Sequence, residues 1–452
     1  MSSSNSSDSY IDDSYLDFIG EILNNKYILL KEIGSGTFAT VWLAYNIKNK
    51  CFYAIKIQNV EDSDCGEDEI EIYDKIKKNN CEYLNKLLAH FIHISSQGEH
   101  ICMVFELLAG SVYDAIKSNK NLSLDICKII IYQLLIAIDT LNKYTKKIHT
   151  DIKPENILIV GISNEINDII NEFNNFGINE FLKKTKKGTY TIKTRENIKN
   201  HIKQLSFYKN DISSDNSSES CISSILSDYS NNSISESYKQ HKSKYYNINS
   251  KFINKDTLIT KLSDLGTCCD IKNPTYDIQT RYYRAPEVIL QYDLNENCDI
   301  WSVGCLLYEM LTGDILFNPD KRRRFNRDRF HLYEMQKLLG KIPENIIKRA
   351  QKRKLFFKNN GLIKGIYNVE YEPLSKIVLQ KLSNCSTKKQ IYFIIDFLYK
   401  TLDYNPKTRL SAKQCLNHPL FDTLSKSNLT IKKKNKQLNN NRSRKLKKKR
   451  KK

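Results

Sequence analysis

The segment Ile148-His-Thr-Asp-Ile-Lys-Pro-Glu-Asn-Ile-Leu158 sets an acid, a cation and an amide within Asp151–Asn156. Phosphoryl transfer needs that combination: a carboxylate to orient a hydroxyl and take its proton, a cation for the transferred phosphate, and an oxygen ligand for Mg2+. Asp151 is the candidate base, Lys153 the phosphate cation and Asn156 a metal ligand. Asp264, in Asp264-Leu-Gly266, offers a second hard oxygen donor, and Ala285-Pro-Glu287 follows. Upstream, Ile33-Gly-Ser-Gly-Thr-Phe-Ala-Thr-Val41 is a glycine loop in which Gly34 and Gly36 leave backbone N–H groups open to phosphate. Ala39 stands where a third glycine would complete the pattern. In Ala54-Ile-Lys56 a strand-end lysine suits nucleotide phosphates if a carboxylate holds it; Glu69 is the candidate, with Glu67 and Glu71 as competitors. Each motif alone is weak. Their order and spacing together point to phosphoryl transfer.

Those residues need a scaffold. Tyr27–Ile33, Val41–Tyr45, Phe52–Ile57 and Ile101–Glu106 are short runs rich in β-branched and aromatic residues and predict strands, with a helix at Asp68–Ile76. In Leu124–Leu141 the apolar residues Cys127, Ile130, Ile131, Leu134, Leu135, Ile138 and Leu141 share one helical face, and Ser123 is the expected N-cap. Residues 1–26 read as a disordered lead-in. After Val160 the text turns to Asn, Ser, Ile and Lys: within 211–237 there are 12 Ser, five acids and no Lys or Arg. Such a composition buries too little apolar area to offset chain entropy, so 161–257 is expected to be mostly disordered, with a short amphipathic helix at Asn164–Phe173. Globular patterning returns over 258–421, mainly helical, and 422–452 is a basic, low-complexity tail.

The chain resembles a eukaryotic-type Ser/Thr protein kinase of the CMGC group over 27–160 and 258–421, and within that group it is most similar to the SR-protein kinases. The resemblance rests on Thr-Val-Trp-Leu-Ala (40–44), Cys-Met-Val-Phe-Glu-Leu-Leu (102–108), His-Thr-Asp-Ile-Lys-Pro-Glu-Asn (149–156), Asp-Leu-Gly (264–266), Ile-Gln-Thr-Arg (278–281), Asp-Ile-Trp-Ser (299–302) and Thr-Gly-Asp-Ile-Leu-Phe (312–317). It implies a bilobal α+β kinase fold with a β-rich N-lobe (27–108), a helical C-lobe (109–160 and 258–421), and a long disordered spacer inserted in the C-lobe. It also implies ATP and Mg2+ as cofactors. Ile33, Gly34, Ser35, Gly36, Val41, Ala54, Lys56, Phe105, Glu106 and Leu108 would hold ATP, with Glu69 bracing Lys56. Asp151 would be the base, Lys153 the γ-phosphate contact, Thr280 the support of the substrate-hydroxyl site, and Asn156 and Asp264 the metal ligands. Glu287 with Arg409 would form a buried ion pair, and Asp299 would brace the catalytic loop. The implied substrates are protein Ser/Thr hydroxyls. The rival reading is a pseudokinase scaffold or a nucleic-acid-associated binding protein built on the spacer and tail.

Two departures matter. Thr150 stands where most kinases carry an arginine that receives an activation-loop phosphate, which predicts activity without that phosphorylation. The SR-protein kinases dock basic substrates on acids, whereas Pro319–His331 holds six basic residues against two acids and Lys337 falls at an expected docking acid. Strict Arg/Ser preference is therefore expected to be relaxed or lost.

Composition narrows the remainder. The net charge is +20, but residues 426–452 hold 14 Lys and Arg and no acid, so most of the excess is in the tail. An RNA, DNA or other acidic partner, or nuclear import, is expected of that tail. Twelve cysteines without a CxxC pair fit reduced thiols inside a cell. No apolar run approaches a membrane span. A monomer in the cytoplasm or nucleus is the expectation.

Overall fold

The computed structural model describes residues 18–178, 181–182, 189–206, 248, 253–319, 326–366, 369–384 and 386–424. The serine-rich centre of the spacer, the basic tail and most of the 319–331 segment's arginines lie outside them. Two compact units emerge: residues 1–63, 88–107 and 165–243 form one, and 64–87, 108–164 and 244–452 the other.

The first unit is built on a six-stranded sheet in the order β1-β2-β3-β4-β6-β5. Its strands are β1 (Ile22–Leu23), β2 (Tyr27–Ser35), β3 (Ala39–Asn46), β4 (Cys51–Gln58), β5 (Leu87–Ile94) and β6 (Glu99–Phe105). Period-2 alternation sends Leu29, Trp42, Ala44, Ile55, Ile57, Cys102 and Val104 to one face, where they bury against Phe18, Leu23 and Tyr27. Each fully buried aliphatic side chain there contributes roughly 1.5–3 kcal/mol. Strand β5 escaped the sequence reading because its alternate positions Leu88, Ile92 and Ile94 are exposed and two histidines break the apolar run.

The spacer, expected to be mostly disordered, keeps the helix expected at its start and adds a second one. Helices α4 (Asn164–Asn175) and α5 (Ile192–Ile202) occupy it. The short amphipathic helix expected at Asn164–Phe173 is α4: Ile166, Ile169, Ile170 and Phe173 recur at i, i+3, i+4 and i+7, and all four are buried. The Phe173 ring packs on Tyr45 (5.0 Å) and Phe52 (5.9 Å) of the sheet. From α5, Arg195 donates to the Ile22 carbonyl (3.0 Å) and to Asn25 (3.3 Å). Gly20, at φ +72°, lies so close to α5 that a Cβ would fall 2.5 Å from the Lys199 Cα.

The second unit is mainly helical. It comprises α1 (Ser63–Lys77), β7 (Gly110–Ser111), α2 (Val112–Asn119), α3 (Leu124–Thr145), β8 (Lys147–Ile148), β9 (Ile157–Ile159), β10 (Thr260–Leu262), β11 (Cys269–Asp270), α6 (Pro286–Leu290), α7 (Cys298–Thr312), α8 (Arg327–Leu339), α9 (Glu344–Arg349), α10 (Arg353–Phe356), α11 (Leu374–Leu382), α12 (Lys388–Thr401) and α13 (Ala412–Cys415). All seven apolar positions read along α3 are buried. Ser123 sits at its N-cap, yet the side chain makes no capping bond, whereas Ser111 with Asp114 forms a capping box at the start of α2. Deep in this unit Glu287 and Arg409, neither exposed, pair through two bonds of 2.5 and 2.8 Å. Arg409 also donates to the Asn297 and Asp403 carbonyls, so its buried charge is fully coordinated. Every described cysteine is a free thiol.

If α4 is a docked part of the fold, Phe173→Ala should lower the unfolding free energy by about 3–5 kcal/mol, as loss of a buried aromatic does. Urea denaturation of the full chain measures it. A change below about 1 kcal/mol, the size expected of a surface site, would mean the helix is not seated on the sheet.

Candidate active site

Bonds from buried side chains to backbone build the catalytic loop. The Asp299 carboxylate, in the first turn of α7, accepts from His149 N (2.8 Å) and Thr150 N (3.0 Å). His149 Nδ1 accepts from Asp151 N (3.2 Å), which leaves Nε2 to donate to the Ser263 carbonyl (3.0 Å). Thr150 then adopts φ +72°, a left-handed conformation that costs a β-branched residue roughly 1–3 kcal/mol and persists only when neighbours enforce it. Its hydroxyl donates to the Thr267 carbonyl (2.8 Å).

On that frame the predicted catalytic side chains converge. Asp151 Oδ1 accepts from the Thr280 hydroxyl at 2.6 Å, and Oδ2 pairs with Lys153 Nζ at 2.7 Å. Lys153 also reaches Thr280 Oγ1 at 3.4 Å. Burial alone would lower the Lys153 ammonium, but the Asp151 carboxylate outweighs it and holds the pKa above its ordinary value. Asn156 Nδ2 donates to the Asp151 carbonyl (2.9 Å) and to Oδ2 (3.1 Å), which orients its Oδ1 as the oxygen donor of that side chain. Asp264, at φ +61°, opens the turn Leu265–Thr267. Ser263 beside it donates from both N (2.9 Å) and Oγ (3.0 Å) to the Asn156 carbonyl, tying the two candidate metal ligands' segments together.

Glu69 is distinguished from its competitors by burial. It is 1 % exposed and accepts from Leu265 N at 3.2 Å, whereas Glu67 and Glu71 are exposed and Glu71 pairs with Lys75. One residue that sequence reading named only within a motif is Gln279. Its amide donates to the Cys298 carbonyl (2.9 Å) and Ser302 Oγ (3.0 Å) and accepts from Ala285 N (2.8 Å), fixing the backbone next to Thr280. Such bonds from side chain to backbone carry no local periodicity. A cavity of about 230 Å³ lies against this cluster, lined by Thr150, Asp151, Thr267, Asp277, Thr280 and Arg284 among others.

In the first unit, strand register places the nucleotide candidates in rows. Gly34, Val41, Lys56 and Met103 face one another across β2, β3, β4 and β6, and Leu43, Ala54 and Phe105 form the next row on the same face. Ile33 and Ser35 flank Gly34 at the end of β2, and Gly36 N closes the hairpin onto the Ala39 carbonyl at 2.9 Å. Added Cβ atoms at Gly34 and Gly36 would meet nothing nearer than 3.7 and 3.9 Å, so packing does not demand either glycine. Glu106 and Leu108 follow directly on β6.

Comparison with known proteins agrees with this geometry. The protein kinase domain family matches residues 27–204 and 244–421. The chain is 32 % identical over 414 residues to the serine/threonine-protein kinase SRPK of Physarum polycephalum, spanning 89 % of this chain and 87 % of that protein. It is 30 % identical over 446 residues to the protein kinase dsk1 of Schizosaccharomyces pombe (89 % and 82 %), and 26 % over 495 residues to human SRSF protein kinase 3 (89 % and 87 %). The chain belongs to the protein kinase family. Within it the chain is a serine/threonine-protein kinase of the SR-protein-kinase kind, which sets aside the scaffold reading. Protein kinases use ATP and Mg2+ and act on protein hydroxyls. No described helix is long and apolar enough to cross a membrane.

This kinase's brace has a titration. Burial pushes the Asp299 carboxyl up to about 6, against the partial relief given by His149 and the two N–H donors. Because the folded pKa is raised, the stability gained from protonation is complete below the ordinary value of 3.8 and lost as pH rises through about 6. Loop geometry runs the other way, since two N–H groups need two ionised oxygens. The kcat profile should show an acid limb near pH 6 that Asp299→Asn removes while lowering kcat at every pH. An unchanged limb in that variant would assign it to another group.

Proposed function

We propose that this kinase transfers the γ-phosphate of ATP to protein Ser/Thr hydroxyls with Asp151 as base, and that its choice of substrates is broader than Arg/Ser repeats. The observation that carries the assignment is the single carboxylate of Asp151, held by Lys153, Asn156 and Thr280 at 2.6–3.1 Å. Asp151 Oδ1, now bonded to the Thr280 hydroxyl, is placed to take up a substrate hydroxyl and accept its proton. Lys153, kept protonated by Asp151, provides positive charge beside that oxygen. Asn156 and Asp264 offer one amide and one carboxylate oxygen, a donor set that suits Mg2+ arriving with phosphates rather than held in a protein cage. When bound, ATP with Mg2+ supplies the phosphoryl group and neutralises its charge. Lys56, together with Gly34 and Val41 of its own row and Ala54 and Phe105 of the next, would hold the nucleotide. With packing making no claim on Gly34 and Gly36, close approach of phosphate to the backbone is the role left to them.

The charges on α8 support the broader specificity. Asp328 is committed to Arg281, and Lys337 pairs with Glu372 at 3.3 Å. A basic docking segment would have to displace an existing guanidinium from Asp328 and would meet a cation at position 337. On a peptide array the wild type should phosphorylate Ser/Thr peptides without strong preference for Arg-Ser repeats, and Asp151→Asn should lose at least 10³-fold in kcat (an order-of-magnitude loss for a kinase base). Strong selectivity for Arg-Ser repeats would sink the specificity claim alone.

Thr150 supports a second reading of regulation, because a hydroxyl has no charge with which to receive a phosphate. Phosphatase-treated enzyme should keep its activity. Collapse after dephosphorylation would show that a phosphorylated residue orders the site by another route.

A further inference from the structure

We propose that Thr150 and Thr267 form a neutral hydroxyl clasp that positions the metal-binding loop, making Thr267 a positioning residue for Asp264. The inference rests on the reading of Asp264 as a metal ligand. The clasp consists of two bonds running in opposite directions between segments far apart in the chain. Thr150 Oγ1 donates to the Thr267 carbonyl at 2.8 Å, and Thr267 Oγ1 donates to the His149 carbonyl at 3.3 Å.

Three observations give the pair more than a packing role. First, Thr150 is 1 % exposed and held at φ +72°, where a β-branched side chain is strained, and in that conformation its hydroxyl meets the Thr267 carbonyl. Strain of this kind marks positions that the surrounding structure enforces for a purpose. Second, Thr267 closes the turn that Asp264 opens, and Cys268 N bonds back to the Leu265 carbonyl at 3.2 Å. The loop is therefore fixed at Ser263 by Asn156, at Leu265 by Glu69 and at Thr267 by Thr150, with Asp264 between the first two points. Releasing the third point frees the end of a turn whose start is a left-handed residue. Third, every group in the clasp is uncharged. An arginine at position 150 would need an anion to hold it in place, whereas two hydroxyls and two carbonyls satisfy one another. Loop order built this way needs no phosphate.

The test uses the full chain and four variants: Thr150→Val, which keeps shape and branching but lacks the hydroxyl, Thr150→Ser, which keeps the hydroxyl, Thr267→Val, and Asp264→Asn. Two readouts do not require turnover: the Mg2+ concentration that half-saturates binding of a fluorescent ADP analogue, and amide hydrogen exchange over residues 263–269. Thr150→Val should raise the Mg2+ requirement roughly tenfold and speed exchange in that segment, as loss of one buried bond does. Thr150→Ser should restore both, and Thr267→Val, which removes only the longer bond, should shift both by less. Should Thr150→Val fail to fold, Thr267→Val alone decides. A lowered melting temperature with an unmoved Mg2+ requirement in the valine variants would reduce the pair to packing and overturn the proposal. The Asp264→Asn arm separates the two readings. If it abolishes the Mg2+ dependence while the valine variants are silent, the clasp fails and the metal assignment stands; if it changes nothing, the metal assignment fails and takes the clasp with it.

Discussion

A carboxylate buried at the start of one helix governs the geometry of the second unit. Asp299 is 0 % exposed, and an ion so placed costs several kcal/mol unless its oxygens are satisfied. Two backbone N–H groups and the positive end of α7 satisfy it. The same bonds hold Thr150 in a conformation it would not choose and deliver Asp151 to its partners. Around Asp299, the first turn of α7 is a hub. The Asn297 carbonyl receives Arg409, the Cys298 carbonyl receives Gln279, and Ser302 links Gln279 to the Tyr283 carbonyl. Catalytic loop, Thr280 segment and buried ion pair thus converge on a few consecutive residues. A shift there would reach all three.

The catalytic chemistry could be read in the sequence because it depends on side chains clustered within short segments. Asp151, Lys153 and Asn156 lie within one turn of chain, so residue type and spacing announce them. What could not be read is how distant backbone is held. The bond from Thr150 to Thr267 spans 117 residues, and Gln279 works through carbonyls and N–H groups that every residue type possesses. Positive φ at Thr150, Asp264 and Gln279 is likewise invisible, since none of the three is a glycine or asparagine that would advertise it. Glu69 needed burial, not spacing, to be separated from Glu67 and Glu71.

The fold shows the same division in another form. Strands β2, β3, β4 and β6 and helix α3 follow from their apolar period, and every α3 position read on one face is buried, with Ile126, Lys128, Ile129 and Gln133 buried besides. In the spacer the same kind of period announces α4. The spacer's asparagines and lysines set a polar composition, yet α4 needs only four apolar residues at helical spacing to cover Tyr45 and Phe52. Composition decides whether a segment can form its own core; periodicity decides whether it can complete a neighbour's. For a segment beside an aromatic sheet face, the second question is the relevant one.

Charge needs the same local treatment. A net of +20 suggests a protein that attracts acids everywhere, but most of that excess belongs to the tail. Inside the second unit, charge is placed in pairs whose burial sets their meaning. Glu287 with Arg409 is sealed, Lys153 with Asp151 and Arg281 with Asp328 are partly buried, and Lys337 with Glu372 sits nearest solvent. The first pair cannot exchange partners without exposing an unpaired ion in the interior. The last can, at little cost, because water screens both the pair and its separated members. If substrate docks on α8 as proposed, it would compete with Arg281 and Glu372 rather than with empty space. Specificity there would then be set by exchange between ion pairs, and a cation at position 337 would bear on which substrates gain by docking.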